Sequence, residues 1–117
     1  MVISLYNLML KELSMANLTK FINIHDYSVV FRLHATKRMI QRKIQDYEVY
    51  QVLNKGDIIE SYDDDLPFPS VLINGLTQEN RHLHLVVAIN KDEKILIIIT
   101  VYEPDKNKWI NSFSKRK

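Results

Sequence analysis

Two apolar runs separated by one charged turn constrain this chain more than any other feature. His82 to Ile89 and Ile95 to Tyr102 are nearly continuous in aliphatic and β-branched residues, and Asn90 to Lys94 between them is polar. The pair predicts an antiparallel hairpin, because so brief a connection cannot carry a parallel crossover. Such strands belong at the centre of a sheet, covered on at least one face. Two further strands are expected near 58–62 and 70–76, the second broken by Asn74-Gly75. Pro67 and Pro69 stiffen the loop between them. Pro104 ends the last strand, Trp109 and Phe113 are expected to dock the tail, and Ser114 to Lys117 to fray.

Upstream the period is helical. Leu5, Leu8, Met9, Leu13 and Ala16 predict an amphipathic helix reaching toward Ile24. Val29 to Phe31 reads as a lead-in or a brief strand, followed by a helix over 33–44. A second helix over 46–55 has better punctuation. Gln45 and Glu48 have capping-box spacing, Asp46 offers an alternative cap, and Gly56 supplies a left-handed terminator. Its apolar stripe is Tyr47, Val49, Tyr50, Val52 and Leu53. The fold class is therefore α+β: N-terminal helices, then a four-stranded antiparallel sheet. Residues 1–29 form a helical extension and 30–117 the domain proper, one compact unit in all.

Composition excludes several chemistries. The chain has 117 residues and no cysteine, so disulfides, thiolate zinc sites and cysteine nucleophiles are out. Its 2 glycines leave no room for a phosphate-cradling loop or a dinucleotide fingerprint. No apolar run approaches the ~18 residues that span a bilayer, and the apolar start lacks a basic flank and a cleavage site. A cytoplasmic protein is expected, with translation starting at Met1 or Met15 and no cofactor. The net charge of +2 is small, but its distribution is uneven. Arg32, Lys37, Arg38, Arg42 and Lys43 cluster without an acid, whereas Asp57, Glu60, Asp63, Asp64 and Asp65 follow together. The basic segment suits an anionic partner; two solvated surface patches would look the same.

Two constellations could carry chemistry. His34, Arg38 and Arg42 recur every four residues, so they fall within an arc of roughly 80° on one helix face. Guanidinium pairs with phosphate oxygens, and imidazole titrates near neutrality. A surface helix with a plain polar stripe has the same spacing. On the strands, alternation puts His82, His84, Val86 and Ala88 on one face, and Leu96, Ile98, Thr100 and Tyr102 on one face. With Ile89 opposite Ile95, His84 lies opposite Thr100 and His82 opposite Tyr102. The plain alternative is that His84 and Thr100 are hydrogen-bonded interior groups. His82-x-His84 also offers two nitrogens for a metal, which would need further ligands.

Longer strings are familiar. His34-Ala35-x-x-Arg38-Met39-x-x-Arg42-x-Ile44, Gly56-x-Ile58-Ile59-Glu60-x-Tyr62, Leu83-His84-Leu85-Val86-Val87 and Ile99-Thr100-Val101-Tyr102-Glu103-Pro104-Asp105 stand in order with Trp109. Together they resemble a family of uncharacterised bacterial and cyanobacterial domains, from about Val30 to Trp109. Those domains look like distant members of the RelE-like toxin fold, whose partners are antitoxins carrying a small zinc ribbon. The resemblance implies a toxin-type, metal-independent endoribonuclease acting on RNA, with the ribosome as a further partner. Carried over, its polar positions are His34, Arg38, Arg42, Glu60, His84, Thr100 and Tyr102. His34 or His84 would serve as base or acid, with Glu60 as the spare base. Arg38, Arg42 and Arg81 would hold the phosphate with Thr100 nearby, and Tyr102 would stack a base or donate a proton. On this reading the helix stripe and the strand histidines share one cleft. A non-catalytic RNA- or protein-binding module on the same fold would need the arginines alone; a metal hydrolase built on His82 and His84 ranks behind both.

Overall fold

The computed structural model describes residues 17–117. Five strands form one sheet: β1 (Ser28–Phe31), β2 (Asp57–Tyr62), β3 (Ser70–Leu76), β4 (His82–Asn90) and β5 (Ile95–Tyr102). Two helices, α1 (Leu33–Arg42) and α2 (Asp46–Lys55), lie in sequence between β1 and β2. The spatial order is β1-β5-β4-β3-β2, antiparallel throughout except that β1 runs parallel to β5. The sheet therefore has one strand more than the sequence predicts, and it is mixed. Ser28 to Phe31 becomes an edge strand because it pairs with Ile95 to Ile98, a partner that local periodicity cannot reveal.

The expected helix reaching Ile24 is replaced, over the described residues, by two 3-10 turns, Leu18–Lys20 and Ile24–Asp26. The earlier part of that helix lies outside the described residues. Leu18 and Ile24 are both buried, so each turn delivers one anchor to the core.

One face of the sheet carries the main core. Leu83, Leu85 and Val87 from β4 and Leu96, Ile98 and Val101 from β5 meet Ala35 and Met39 of α1 and Val49, Val52 and Leu53 of α2. Of the stripe expected on α2, Tyr47 and Tyr50 stay exposed. Helix α1 ends at Lys43, which takes the left-handed conformation at φ 56°. At the start of α2, Glu48 Oε1 accepts from Gln45 N–H at 3.0 Å, and Asp46 accepts from Tyr47 N–H. Gly56 closes α2, but at φ −71° and not in the left-handed form that the sequence suggests. Its glycine is required by close approach: a Cβ would stand 2.6 Å from the Val52 carbonyl oxygen and 2.7 Å from Ile73 Cγ2.

The register of the β4–β5 hairpin differs from expectation in two places. Ile89 pairs with Leu96, and a bulge next to Val86 then shifts the ladder again, so that His84 pairs with Tyr102 and Val86 with Thr100. The two single-residue shifts together restore the parity. As a result Leu96 and Ile98 face the helices, whereas Thr100 and Tyr102 face away from them with His84. The expected single face for all four residues is thereby corrected, and so is the pairing of His84 with Thr100.

The second face of the sheet is covered in part by the tail. Trp109–Ile110 (β6) pairs with Lys115–Arg116 (β7) as a short hairpin, so the tail end is ordered and not frayed. Trp109 is buried and Phe113 half-buried, as the expected docking residues. Among the described residues, no helix is long and apolar enough to cross a membrane.

Candidate functional site

The polar side chains that converge do so on the tail-covered face. Alternation along β2 sends Glu60 and Tyr62 to this side, opposite Leu72 and Ser70 of β3. One row across the sheet reads Asn74, His84, Tyr102, and the next reads Glu60, Leu72, Val86, Thr100. Glu60, Tyr62, Thr100 and Tyr102 are half-buried, whereas His84 is 0% exposed.

Hydrogen bonding fixes the state of His84. Its Nε2 lies 2.8 Å from the Phe113 carbonyl oxygen, which can only accept, so Nε2 carries the proton. Nδ1 is then the acceptor, and the Tyr102 hydroxyl donates to it at 3.1 Å. The ring packs edge-on against Tyr102 and against Trp109, at 4.5 Å between centroids for the latter. Burial pushes the imidazole down to about 4, so it is neutral at pH 7.

Glu60 has the opposite surroundings. Arg116 donates to it twice, from Nε to Oε2 at 2.7 Å and from a terminal nitrogen to Oε1 at 3.1 Å. The Tyr62 hydroxyl also donates to Oε1. The Arg116 bonds hold the carboxyl below its usual range, against some desolvation, while burial and Glu60 push the Tyr62 phenol up to about 12. Burial also raises Tyr102. Arg116 lies over the Trp109 ring, 4.6 Å from its centroid. The result is a carboxylate, a neutral imidazole and two phenols drawn from three strands, with a guanidinium from the tail.

Of the residues singled out by sequence, Glu60, His84 and Tyr102 come together here; Thr100 shares their face, with Leu72 and Val86 between it and Glu60 in its row. His34, Arg38 and Arg42 do not join them. They are exposed on α1, whose inward residues Ala35 and Met39 pack on the other side of the sheet with Leu83 and Leu85, the neighbours of His84. The single cleft expected to join the two clusters is absent among the described residues, because the sheet stands between them. Arg81 is committed elsewhere. It donates to the carbonyls of Arg42 and Lys43 at the end of α1, to Glu48 at 3.2 Å and to Glu103 at 2.9 Å. The pair His82-x-His84 does not aim at one point for a metal: both nitrogens of His84 are engaged, and the His82 ring lies 4.6 Å from that of Phe113.

Sequence reasoning missed Tyr62, Asn74 and Arg116. Tyr62 was visible as the alternate neighbour of Glu60 on a strand. Arg116 gave no signal, since 56 positions separate it from Glu60 and only the hairpin brings it back.

Fold and site together define an α+β domain with two helices on one face of a mixed five-stranded sheet and an acid–base cluster on the other. The chain belongs to the family described as a domain of unknown function (DUF4258), which matches residues 31–103. That span ends at Glu103, so the tail hairpin lies beyond it. No curated protein and no solved structure matches the chain.

Proposed function

We propose that the protein is an endoribonuclease of toxin type on a RelE-like fold, cutting RNA by acid–base chemistry without a metal. The observation that carries this reading is the convergence of Glu60, Tyr62, His84 and Tyr102 on one sheet face. Cleavage within RNA needs a base for the 2′-hydroxyl, a proton for the leaving 5′-oxygen and donors for the phosphorane oxygens. Glu60, ionised at neutral pH, takes the 2′-proton as the 2′-oxygen attacks phosphorus. The 5′-oxygen departs with a proton from Tyr62, and Tyr62 recovers one from Glu60. His84 keeps its proton throughout and donates Nε2–H to a phosphate oxygen, which takes the place of the Phe113 carbonyl that accepts it in this structure. That role differs from the titrating acid or base expected of it, because burial holds the ring neutral. The products are a 2′,3′-cyclic phosphate and a 5′-hydroxyl. A zinc-ribbon antitoxin and the ribosome are the partners that this reading implies, in the cytoplasm.

The test is cleavage of cellular RNA, with and without ribosomes and with chelator present, by wild type, Glu60→Gln, Tyr62→Phe and His84→Gln. Glu60→Gln should lose about 100-fold or more, the usual share of a positioned base. Full activity in that variant sinks the proposed chemistry, and no cleavage by wild type sinks the function.

A second reading rests on α1. His34, Arg38 and Arg42 are all exposed, beside Leu33 at 70% and Ile40 at 73% exposure. A non-catalytic module would use this cationic and apolar surface to bind RNA or protein, and would cut nothing.

A further inference from the structure

The tail hairpin is built as a weak element held down by specific contacts. Its strands pair over two residues each, and an isolated two-stranded ribbon is marginal in water. Its turn contains three consecutive non-glycine residues in the left-handed region: Asn111 at φ 54°, Ser112 at φ 56° and Phe113 at φ 67°. L-residues disfavour that conformation, so the turn persists because the sheet holds it.

The contacts that hold it have a chemical pattern. Asn74 Nδ2 donates to the Ser112 carbonyl at 3.1 Å, and His84 Nε2 donates to the Phe113 carbonyl at 2.8 Å. The Phe113 ring lies against the His82 ring. Two buried side-chain atoms on this face, Asn74 Oδ1 and His82 Nδ1, have no hydrogen-bond partner. The face thus donates to two oxygens and packs against one ring, tilted at 54° between the planes, while further polar capacity is left unused beneath the turn. Leaving such atoms unpaired weakens the hold of the strap on the face that it covers.

We infer that residues 111–113 occupy the place of a single-stranded RNA segment, making the hairpin a displaceable, self-inhibiting strap. The Ser112 and Phe113 carbonyl oxygens stand where two phosphate oxygens would accept from Asn74 and His84. The Phe113 ring, 4.6 Å from the His82 ring and tilted to it, stands where an unpaired base would pack against His82, a contact open to any base. Substrate displaces the turn, and the departure of the strap takes Arg116 off Glu60 and frees that carboxylate to act as base. The inference rests on the ribonuclease reading above and adds to it the class of RNA and the means of restraint.

Ser112 permits a test at one position. Its side chain is exposed, so substitution acts through the backbone alone. Ser112→Gly relieves the left-handed conformation and should tighten the strap; Ser112→Val, β-branched, should loosen it, with about a tenfold span in the closed-to-open ratio. Trp109 is the only tryptophan in the chain and lies beneath Arg116, so its quenching by acrylamide reports opening. A single-stranded oligoribonucleotide, added with chelator to the full chain, should expose Trp109 in wild type. It should bind Ser112→Val several-fold more tightly than Ser112→Gly, with cleavage following the same order and far-UV circular dichroism unchanged. Duplex RNA should leave Trp109 shielded. Equal affinity in the two variants overturns the strap and leaves the ribonuclease reading standing; RNA bound with Trp109 still shielded overturns the strap and, with it, the His84 contact to phosphate, leaving Glu60 and Tyr62 as the acid–base pair. RNA that displaces the strap in the predicted order without ever being cut overturns the ribonuclease reading and leaves the strap.

Discussion

Arg81 and Glu48 meet at 3.2 Å, with the Glu48 side chain almost fully buried, and the same guanidinium reaches two carbonyls at the end of α1 and the carboxylate of Glu103. One side chain thus ties the exit of α1, the first turn of α2 and the end of β5 together. Arg81→Ala should cost about 2–4 kcal/mol, because it takes the guanidinium from a buried carboxylate that then keeps the Gln45 N–H bond, and frees two helix-terminal carbonyls. Arg81→Lys should recover little, since an ammonium cannot spread over the same fork of acceptors. Thermal or urea unfolding of both variants measures this. A loss below 1 kcal/mol in Arg81→Ala would show that the fork is ornamental.

Gly75 lies directly over Val52. A Cβ there would stand 2.8 Å from Val52 Cγ1 and 3.2 Å from the Gly56 Cα. Gly75→Ala should destabilise by about 1–3 kcal/mol, the usual range for overpacking a core. Val52→Ala removes the obstructing methyls, so the double variant should be more stable than the sum of the two single losses predicts. Strict additivity in denaturant melts would mean that the clash is relieved by movement elsewhere.

Acid should weaken the fold in a defined window. His84 is held at about 4, whereas its ordinary value is 6.5, so the folded ring stays neutral where the unfolded one is charged. Between pH 6.5 and about 4 the unfolded chain therefore binds the extra proton, and stability falls as pH drops, by at most about 1.4 kcal/mol per unit. Glu60 adds to this further down: its lowered carboxyl contributes stability above the ordinary carboxylate range, which is lost as pH falls below it. Melting temperatures at pH 7, 6 and 5 should decline in wild type. In His84→Gln the decline across this range should flatten, although the variant is less stable at pH 7. An equal slope in both would show that other groups carry the effect.

The α1 surface predicts a different behaviour from the sheet face. Where α1 contributes to RNA binding, Arg38→Ala and Arg42→Ala should weaken it and lower its salt slope by about 0.7 per lost phosphate contact on a single strand. Single-turnover cleavage at saturating protein should not change, because these side chains stand on the far side of the sheet from Glu60. A large fall in that rate with affinity intact would bring α1 into the catalytic centre, contrary to the separation described above.

How much of this was legible in sequence varies by element. Strands β3 and β5 begin and end where alternation and apolar density place them, and α2 keeps its expected bounds with Val49, Val52 and Leu53 of its stripe buried, because burial against one sheet face dictates the period of each. The alternation also placed His82 and His84 together on one side of β4, and the core confirms it. Tertiary structure decided the rest. Ser28 to Phe31 is a strand only because β5 lends it an edge, a pairing across more than sixty residues. The side of Thr100 and Tyr102 relative to Leu96 and Ile98 was set by a bulge, which inserts one residue without any composition of its own. Arg116 reaches Glu60 through a left-handed turn of ordinary residues, where a sequence reader looks for glycine. Local periods come from the chain's own geometry, and hence can be read from it. The convergence of side chains depends on which segments pair and in what register, and that is determined by the packing energy of the whole domain.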